Sequence, residues 1–194
     1  MRLGVFGGTF DPPHNGHLAL CLYARELLGL DRLVISLSKN PFKAPSDAPD
    51  DDRTAMALLF AGEINSTGNI AEVSRWELGR PGASYTVDLL RYFGSLNPGA
   101  ELVLLVGEDS YRQMHLWKSS AEIPRLCRIA VFGRTGDYSL VEDSGYDLPK
   151  AEHYEFDMPV SATAVRQLIA GGESISGLVP PVIAAYIGSK GLYH

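Results

Sequence analysis

The stretch at residues 4–20 reads GVFGGTFDPPHNGHLAL and predicts the first strand and helix of the chain. Its apolar start predicts a strand, and Gly7-Gly8 ends that strand. Pro12-Pro13 predicts a stiff turn, and His14 and His17 follow just as a helical pattern of leucines begins. The stretch therefore predicts a strand, a glycine-containing turn and a helix that has two histidines at its start.

Apolar runs alternate with helix-forming segments along the rest of the chain. Residues 133–153 are polar and are predicted to be irregular, and the length of 194 residues fits one domain, 1–194. Strands that alternate with helices indicate a doubly wound parallel α/β sheet with helices on both faces. The predicted strands are 2–6, 32–37, 69–74, 101–106 and 128–132, and the predicted helices are 18–30, 50–65, 84–96, 161–170 and 181–189.

The two histidines lie where ligands bind in such a sheet, beyond the carboxyl end of a strand. Gly7 and Gly8 have no Cβ, so a ligand can come close to the backbone. The start of the following helix favours an anion, and His14 and His17, three residues apart, share one helix face. Imidazoles donate hydrogen bonds to phosphate oxygens, more strongly when protonated, so the pair suits stabilisation of a transferring phosphoryl group.

Taken alone, two histidines at this spacing are more often satisfied or exposed side chains near a helix cap. A zinc site would need a third ligand at a plausible spacing, so we predict no metal held by the protein. The stretch also lacks the G-x-G-x-x-G and Walker A patterns, which argues against a nicotinamide-dependent dehydrogenase and a P-loop enzyme.

A second candidate site lies far along the chain in VSATAVR, residues 160–166. Ser161 and Thr163 are good candidates for a helix N-cap. Arg166 follows about one turn later, where its guanidinium could share an anion with the first amides of the helix. By itself this pattern is more typical of a capped helix with a surface arginine than of a binding site.

Composition and charge exclude several function classes. The formal charge of −6 argues against a broad nucleic-acid surface, although a local cationic pocket for a phosphate ligand remains possible. No apolar run is long enough to span a membrane, and the first residues do not resemble a signal peptide. Cys21 and Cys127 are too few for a metal cage and are expected to be partly buried thiols. We expect a cytoplasmic protein; a homo-oligomer is compatible with the sequence.

Taken together, the motifs resemble a known family. GGTFDPPHNGH is similar to the opening of the (H/T)xGH nucleotidyltransferase superfamily, and residues 161–166 are similar to its second signature, the SSTxxR type. The specific likeness is to bacterial nicotinate-nucleotide adenylyltransferases and runs from residue 3 to residue 193. It also includes ASYT at 83–86, GEDS at 107–110 followed by Trp117, and the ending LVPP…YI…GLY.

The resemblance implies a Rossmann-like fold and a reaction. The family joins ATP to nicotinic acid mononucleotide and releases pyrophosphate, with Mg²⁺ carried by ATP and pyrophosphate and with no protein nucleophile. It implies that His14 and His17 contact the ATP phosphates and that Arg166 holds the leaving pyrophosphate together with Ser161 and Thr163. The resemblance further assigns the nucleotide to Gly7, Gly8 and Thr9 and its ribose hydroxyls to Asp109.

For the acceptor, the resemblance implies that Trp117 stacks on the pyridine ring and that backbone amides near Tyr85 and Thr86 receive the carboxylate. If the resemblance is left aside, the sequence predicts that Trp117 is a half-buried surface residue and that Ser84 is an ordinary helix cap. The loop after the second strand departs from the family pattern P-P-H-K/R, because Phe42 stands where the histidine is expected. Lys43 fits the basic position, and Arg134 resembles the arginine of a family R-P-G segment.

The sequence leaves three alternatives to this function. Pantetheine-phosphate adenylyltransferase belongs to the same superfamily, but it has threonine at the first histidine, and Trp117 also argues against it. A preference for nicotinamide mononucleotide is a closer alternative, which sequence discriminates poorly. A nucleotide-binding regulator without activity is the third, and the presence of His14, His17 and Arg166 argues against it.

Overall fold

The computed structural model describes residues 1–39, 46–134 and 148–194. Its centre is a six-stranded sheet in which every neighbouring pair of strands is parallel. The strands are β1 (Arg2–Gly8), β2 (Arg32–Leu37), β3 (Ala71–Ser74), β4 (Glu101–Gly107), β5 (Arg128–Gly133) and β6 (Glu152–Glu155).

Helices connect the strands from β1 to β5, and the described helices cover both faces of the sheet. Two short 3₁₀ turns, Met114–Leu116 and Ser120–Glu122, lie between β4 and β5. The α-helices are α1 (Asn15–Leu28), α2 (Asp50–Asn65), α3 (Thr86–Leu96), α4 (Glu108–Arg112), α5 (Ile123–Leu126), α6 (Ala162–Ala170) and α7 (Pro181–Lys190).

The order of the strands across the sheet is β3-β2-β1-β4-β5-β6. The chain therefore builds outward from β1 in one direction and, after crossing to β4, in the other. In a doubly wound sheet the crevice at such a reversal is where ligands bind, because the two connections leave on opposite faces. The loops after β1 and β4 flank this crevice.

Buried side chains form a separate core on each face of the sheet. Phe6 and Leu105 belong to one core, which is completed by buried residues of α1, α2, α6 and α7. Leu3, Val5 and Leu104 belong to the other, which is completed chiefly by α3. Because side chains alternate along a strand, β1 and β4 supply both cores, which explains their nearly continuous apolar sequences.

The structure confirms the predicted doubly wound parallel sheet and corrects some of its detail. Helix α1 begins at Asn15, before the predicted residue 18, and His14 is its N-cap. Tyr85 rather than Ser84 is the N-cap of α3, and the N-cap of α2 is Pro49, so the acidic residues after it occupy the first turn. None of the described helices is long and apolar enough to span a membrane.

Strand β6 is the main element that the sequence prediction missed. Its four residues read EHYE, and each is exposed or only partly buried. It pairs with β5 and is the last strand of the sheet that the described residues form. An edge strand needs no continuous apolar run, so the composition of this segment gave no signal for it.

Candidate active site

A cleft of about 940 Å³ opens at the carboxyl edge of the sheet, between the ends of β1 and β4. This volume lies at the upper end of the range for ligand clefts, roughly 300–1,000 Å³. Helices α1, α3 and α6 all begin at its wall, so three helix N-termini favour an anion there. Every predicted site residue within the described ranges lines this cleft: Gly7, Gly8, Thr9, His14, His17, Tyr85, Thr86, Asp109, Trp117, Arg134, Ser161, Thr163 and Arg166.

The two histidines form a reciprocal cap on α1. Nδ1 of His14 accepts the backbone N–H of His17 at 3.3 Å, and Nδ1 of His17 accepts the backbone N–H of His14 at 3.3 Å. Their rings stack with centroids 3.6 Å apart. On its other sides the His17 ring meets the edges of Phe6, Phe10 and Phe60. Both rings are thus fixed by helix capping and by aromatic packing.

Burial also determines the charge of His14, which is only 7% exposed. Loss of solvation lowers the pKa of His14 from 6.5 to about 4, so the ring is neutral at pH 7. Because its Nδ1 accepts a backbone hydrogen bond, the neutral ring carries its proton on Nε2. The expectation that a protonated imidazole is the donor is wrong for His14, whose donor is a neutral Nε2–H.

Glycines in the opening motif act in two different ways. A Cβ at position 16 would lie 3.0 Å from Nδ1 of His14, so the small residue between the histidines leaves room for the ring that caps the helix. A Cβ at Gly7 would meet no protein atom within 4 Å. The space beside Gly7 therefore belongs to the cleft, where a ligand can approach the backbone of β1.

Arg166 reaches the same cleft from the first turns of α6. Ser161 caps the helix, and its Oγ accepts the backbone N–H of Ala164 at 3.2 Å. Of the two predicted cap residues, Ser161 is therefore confirmed, whereas Thr163 lies in the first turn. Nη1 of Arg166 donates to the carbonyl oxygen of Asp11 at 2.8 Å, and Nε pairs with the carboxylate of Asp47. The guanidinium is thus held beside the histidine loop.

The opposite wall of the cleft is aromatic. Trp117 is half-buried and packs, with Tyr85, against the core on that face of the sheet. Nζ of Lys118 lies 4.6 Å from the centre of the Tyr85 ring. Thr86 is the first residue of α3. Its backbone N–H therefore has no hydrogen-bond acceptor within the helix. This wall can accommodate a flat ring together with an anionic group.

Known proteins resemble this chain in sequence and in fold. Residues 5–168 match the family model described as cytidylyltransferase-like. A protein of Chlorobaculum parvum named "Probable nicotinate-nucleotide adenylyltransferase" is 58% identical over 195 residues, covering 100% of each chain. A protein of the same name from Chlorobaculum tepidum is 59% identical over 193 residues, covering 100% of this chain and 99% of its own. The chain belongs to the nicotinate-nucleotide adenylyltransferase family.

Solved structures agree on the fold of this nicotinate-nucleotide adenylyltransferase family member. The Plasmodium falciparum nicotinic acid mononucleotide adenylyltransferase complexed with NaAD superimposes with a TM-score of 0.78 at 17% identity. The coverage is 99% of this chain and 97% of that one. The same enzyme complexed with APC gives 0.76 at 17% identity, with 99% and 96% coverage.

The family resemblance points to two basic residues, Lys43 and Arg134, and the structure describes only Arg134. Lys43 lies outside the described residues, as does Phe42. Arg134 lies at the end of β5 in the cleft wall, where its Nε donates to Oδ1 of Asp157 at 2.9 Å. Both partners in this ion pair are exposed, so solvent screens it and a phosphate can compete for the guanidinium.

The sequence did not point to several buried charged residues at or beside the cleft. Arg53 is 2% exposed, and its Nη1 donates to the carbonyl oxygen of Thr9 at 2.8 Å, which fixes the turn after β1. Asp11 is 4% exposed and lies within the histidine loop. Glu77 is 5% exposed and lines the cleft, where burial raises the pKa of its carboxyl group despite a hydrogen bond from the Ser36 hydroxyl at 3.3 Å. No local sequence pattern distinguishes these from surface charges.

Proposed function

We propose that this protein transfers AMP from ATP to nicotinic acid mononucleotide, giving deamido-NAD and pyrophosphate. The observation that carries the proposal is a single cleft with two unlike walls. One wall holds the stacked histidines and Arg166, which suit phosphates, and the other holds Trp117 and the start of α3, which suit an aromatic acid. The names of relatives 58% and 59% identical over the whole chain support the same reaction.

The proposed chemistry is a direct displacement. An oxygen of the acceptor phosphate attacks the α-phosphorus of ATP, and a new P–O bond forms as the bond to the leaving pyrophosphate breaks. No covalent intermediate with the protein is required. The protein then accelerates the reaction by holding the two substrates in line and by stabilising charge on the phosphoryl oxygens.

On the ATP side, the neutral ring of His14 and the ring of His17 would donate to phosphate oxygens around the reacting centre. Arg166 would bind the β- and γ-phosphates, because its planar fork matches phosphate oxygens. The first turn of α6 adds its free amides to that site. The nucleotide would lie along Gly7, Gly8 and Thr9, and Asp109 would bind its ribose hydroxyls. Ser161 and Thr163 would contact the leaving phosphates.

On the acceptor side, Trp117 would stack on the pyridine ring, and the amides near Tyr85 and Thr86 would receive its carboxylate. Lys43 and Arg134 would supply positive charge for the acceptor phosphate. Backbone N–H groups only donate, and a carboxylate only accepts, so this arrangement favours the acid over the amide.

We propose that Mg²⁺ arrives with ATP and leaves with pyrophosphate. The donor set in the cleft suits phosphate, since it consists of imidazole N–H groups, helix amides and a guanidinium. Within residues 1–39, 46–134 and 148–194, no group of three histidine, cysteine or carboxylate side chains could ligate a metal ion. When bound, Mg²⁺ supplies charge neutralisation on the phosphate oxygens.

We further infer that residues 1–194 act as one cytoplasmic nucleotidyltransferase domain. One sheet carries both substrate walls, which supports the single domain. Two unpaired thiols are in keeping with a reducing compartment. Burial raises the pKa of Cys127 to about 12 and that of Cys21 further, so neither is a reactive thiolate.

A pyrophosphate-release assay tests the proposed reaction. The protein is incubated with ATP and Mg²⁺ and, in separate reactions, nicotinic acid mononucleotide, nicotinamide mononucleotide or phosphopantetheine. We expect the highest kcat/KM with the nicotinic acid compound. Faster turnover of phosphopantetheine, or no pyrophosphate release with any acceptor, would contradict the proposal.

A further inference from the structure

Arg166 is held by two groups that both depend on one buried residue. Its Nη1 donates to the carbonyl oxygen of Asp11 at 2.8 Å, and its Nε pairs with the carboxylate of Asp47. Arginine has five N–H groups, and these two contacts use two of them. The other three are not engaged by these contacts, so the guanidinium can be oriented by the protein and still bind an anion.

The Asp11 side chain fixes the second of these two anchors as well. Oδ2 of Asp11 accepts the backbone N–H of Asp47 at 2.7 Å, and Oδ1 accepts that of Ala48 at 3.1 Å. The carboxylate therefore sets the backbone of the residue whose side chain pairs with Arg166. Since Asp11 is only 4% exposed, solvent does not replace these bonds easily.

Tyr193, just beyond α7, completes the set. Its hydroxyl donates to Oδ1 of Asp11 at 2.7 Å. Burial, and then this hydrogen bond, raises the pKa of Tyr193, so its hydroxyl stays protonated as a donor. The segment before α7 also meets the histidine end of the loop, because the backbone N–H of Asn15 donates to the carbonyl oxygen of Leu178 at 2.8 Å.

We propose that Asp11 and Tyr193 are a positioning pair for Arg166, so that the Tyr193 hydroxyl supports ATP binding without touching ATP. Three donors hold the buried carboxylate of Asp11, and loss of the one from Tyr193 lets the loop and both Arg166 anchors shift. A small displacement of a bidentate donor weakens phosphate binding, whereas the acceptor wall at Trp117 has no part in this network. The inference rests on the proposed role of Arg166 in holding the β- and γ-phosphates.

A matched pair of variants tests the proposal. Tyr193→Phe removes only the hydroxyl. Tyr186→Phe is the control, because the Tyr186 hydroxyl also donates to a carboxylate, Oδ1 of Asp52, at the same 2.7 Å, and neither residue lines the cleft. The measurements are KM for each substrate, kcat, melting temperature, and the Kd of α,β-methylene-ATP, in which the scissile bond is blocked, by calorimetry.

We expect Tyr193→Phe to raise the KM for ATP and the Kd of the analogue by ~3–10-fold, the scale of one lost hydrogen bond. The KM for nicotinic acid mononucleotide should stay unchanged. Tyr186→Phe should lower the melting temperature about as much as Tyr193→Phe does, but it should leave both KM values unchanged. Equal increases in both KM values for Tyr193→Phe, or the same kinetic pattern in both variants, would overturn the proposal.

A double-mutant cycle then asks whether Tyr193 acts through Arg166. In an Arg166→Ala background, adding Tyr193→Phe should weaken analogue binding no further, because the positioned group is already absent. Additive losses would overturn the inference and leave the phosphate role of Arg166 intact. Unchanged analogue binding in Arg166→Ala alone would instead contradict the phosphate role itself, and with it the basis of the inference.

Discussion

The rings of His14 and His17 stack with centroids 3.6 Å apart, and each Nδ1 accepts the backbone N–H of the other residue. Helix capping and the proposed chemistry thus use opposite nitrogens of the same two rings. Nδ1 is occupied by the backbone, which leaves Nε2–H as the donor for a phosphate oxygen. In His14 this bond adds to burial in opposing protonation, because an N–H at Nδ1 would face the backbone N–H of His17.

Replacement of His14 by asparagine should separate capping from catalysis. Asparagine is among the best N-cap residues, so His14→Asn should keep the melting temperature within a few degrees of wild type. Loss of one preorganised donor should lower kcat by ~10²–10³-fold. Thermal unfolding and steady-state assays measure the two effects.

The control is His115→Asn, which changes a histidine that does not line the cleft and should leave kcat unchanged. A folded His14→Asn protein with wild-type turnover would contradict the assigned role. His17→Ala should give a similar loss of kcat, but it also removes packing against Phe6, Phe10 and Phe60, so its stability should fall further.

Buried neutral His14 should make the protein less stable in mild acid. Its pKa is about 4 in the folded protein, whereas the unfolded chain takes up this proton near 6.5. The unfolded state therefore binds more protons in this window, and the free energy of unfolding falls as the pH drops from about 7 towards 4. By pH 5 the His14 share of this loss is about 2 kcal/mol.

Urea unfolding at pH 7 and pH 5 checks this, with His14→Asn as the reference protein. Other titrating groups affect both proteins alike, so the wild type should lose more stability than the variant. Equal losses in the two proteins would show that His14 is not held neutral by burial.

Arg166→Lys should impair the use of ATP selectively. Lysine keeps the positive charge but cannot reproduce two parallel N–H bonds to phosphate oxygens. We therefore expect a higher KM for ATP and a lower kcat/KM, with the KM for nicotinic acid mononucleotide little changed. Initial rates with each substrate varied in turn measure this. A selective loss of acceptor binding would place Arg166 on the other substrate.

Trp117 should strengthen acceptor binding without choosing between acid and amide. An amide NH₂ facing the Thr86 backbone N–H leaves an unsatisfied donor, which costs about 1–3 kcal/mol, or roughly ten- to a hundredfold in kcat/KM. Both acceptors present a similar ring face to Trp117. Trp117→Ala should therefore lower kcat/KM for both by a similar factor and preserve their ratio.

The chain offers a control for this experiment in Trp76. Its ring stacks on Tyr92 with centroids 4.7 Å apart and does not line the cleft, so Trp76→Ala removes aromatic packing without changing the acceptor wall. Its acceptor KM should match wild type. A wild-type ratio near unity would refute the selectivity, and a ratio that collapses only in Trp117→Ala would assign the discrimination to the tryptophan.

Elements that depend on neighbouring residues could be predicted from the sequence. The apolar runs of β1, β2, β4 and β5 and the helical periodicities were enough to predict the parallel sheet, since burial on both faces leaves a local pattern. The prolines and Ser161 likewise marked a turn and a cap through short-range chemistry, whereas Gly7 and Gly8, predicted to end the strand, are its last two residues. The family motifs then placed the candidate site at the end of β1.

Contacts between residues far apart in the chain, and the charge of buried groups, could be assigned only from the folded structure. Asp11 bonds to Arg166 across 155 positions and to Tyr193 across 182, and no periodicity encodes such contacts. The neutrality of His14 follows from burial, which the whole fold creates. The short edge strand β6 exists because β5 offers it a partner. Pairing and desolvation are properties of the assembled sheet, so these features cannot be read from local sequence.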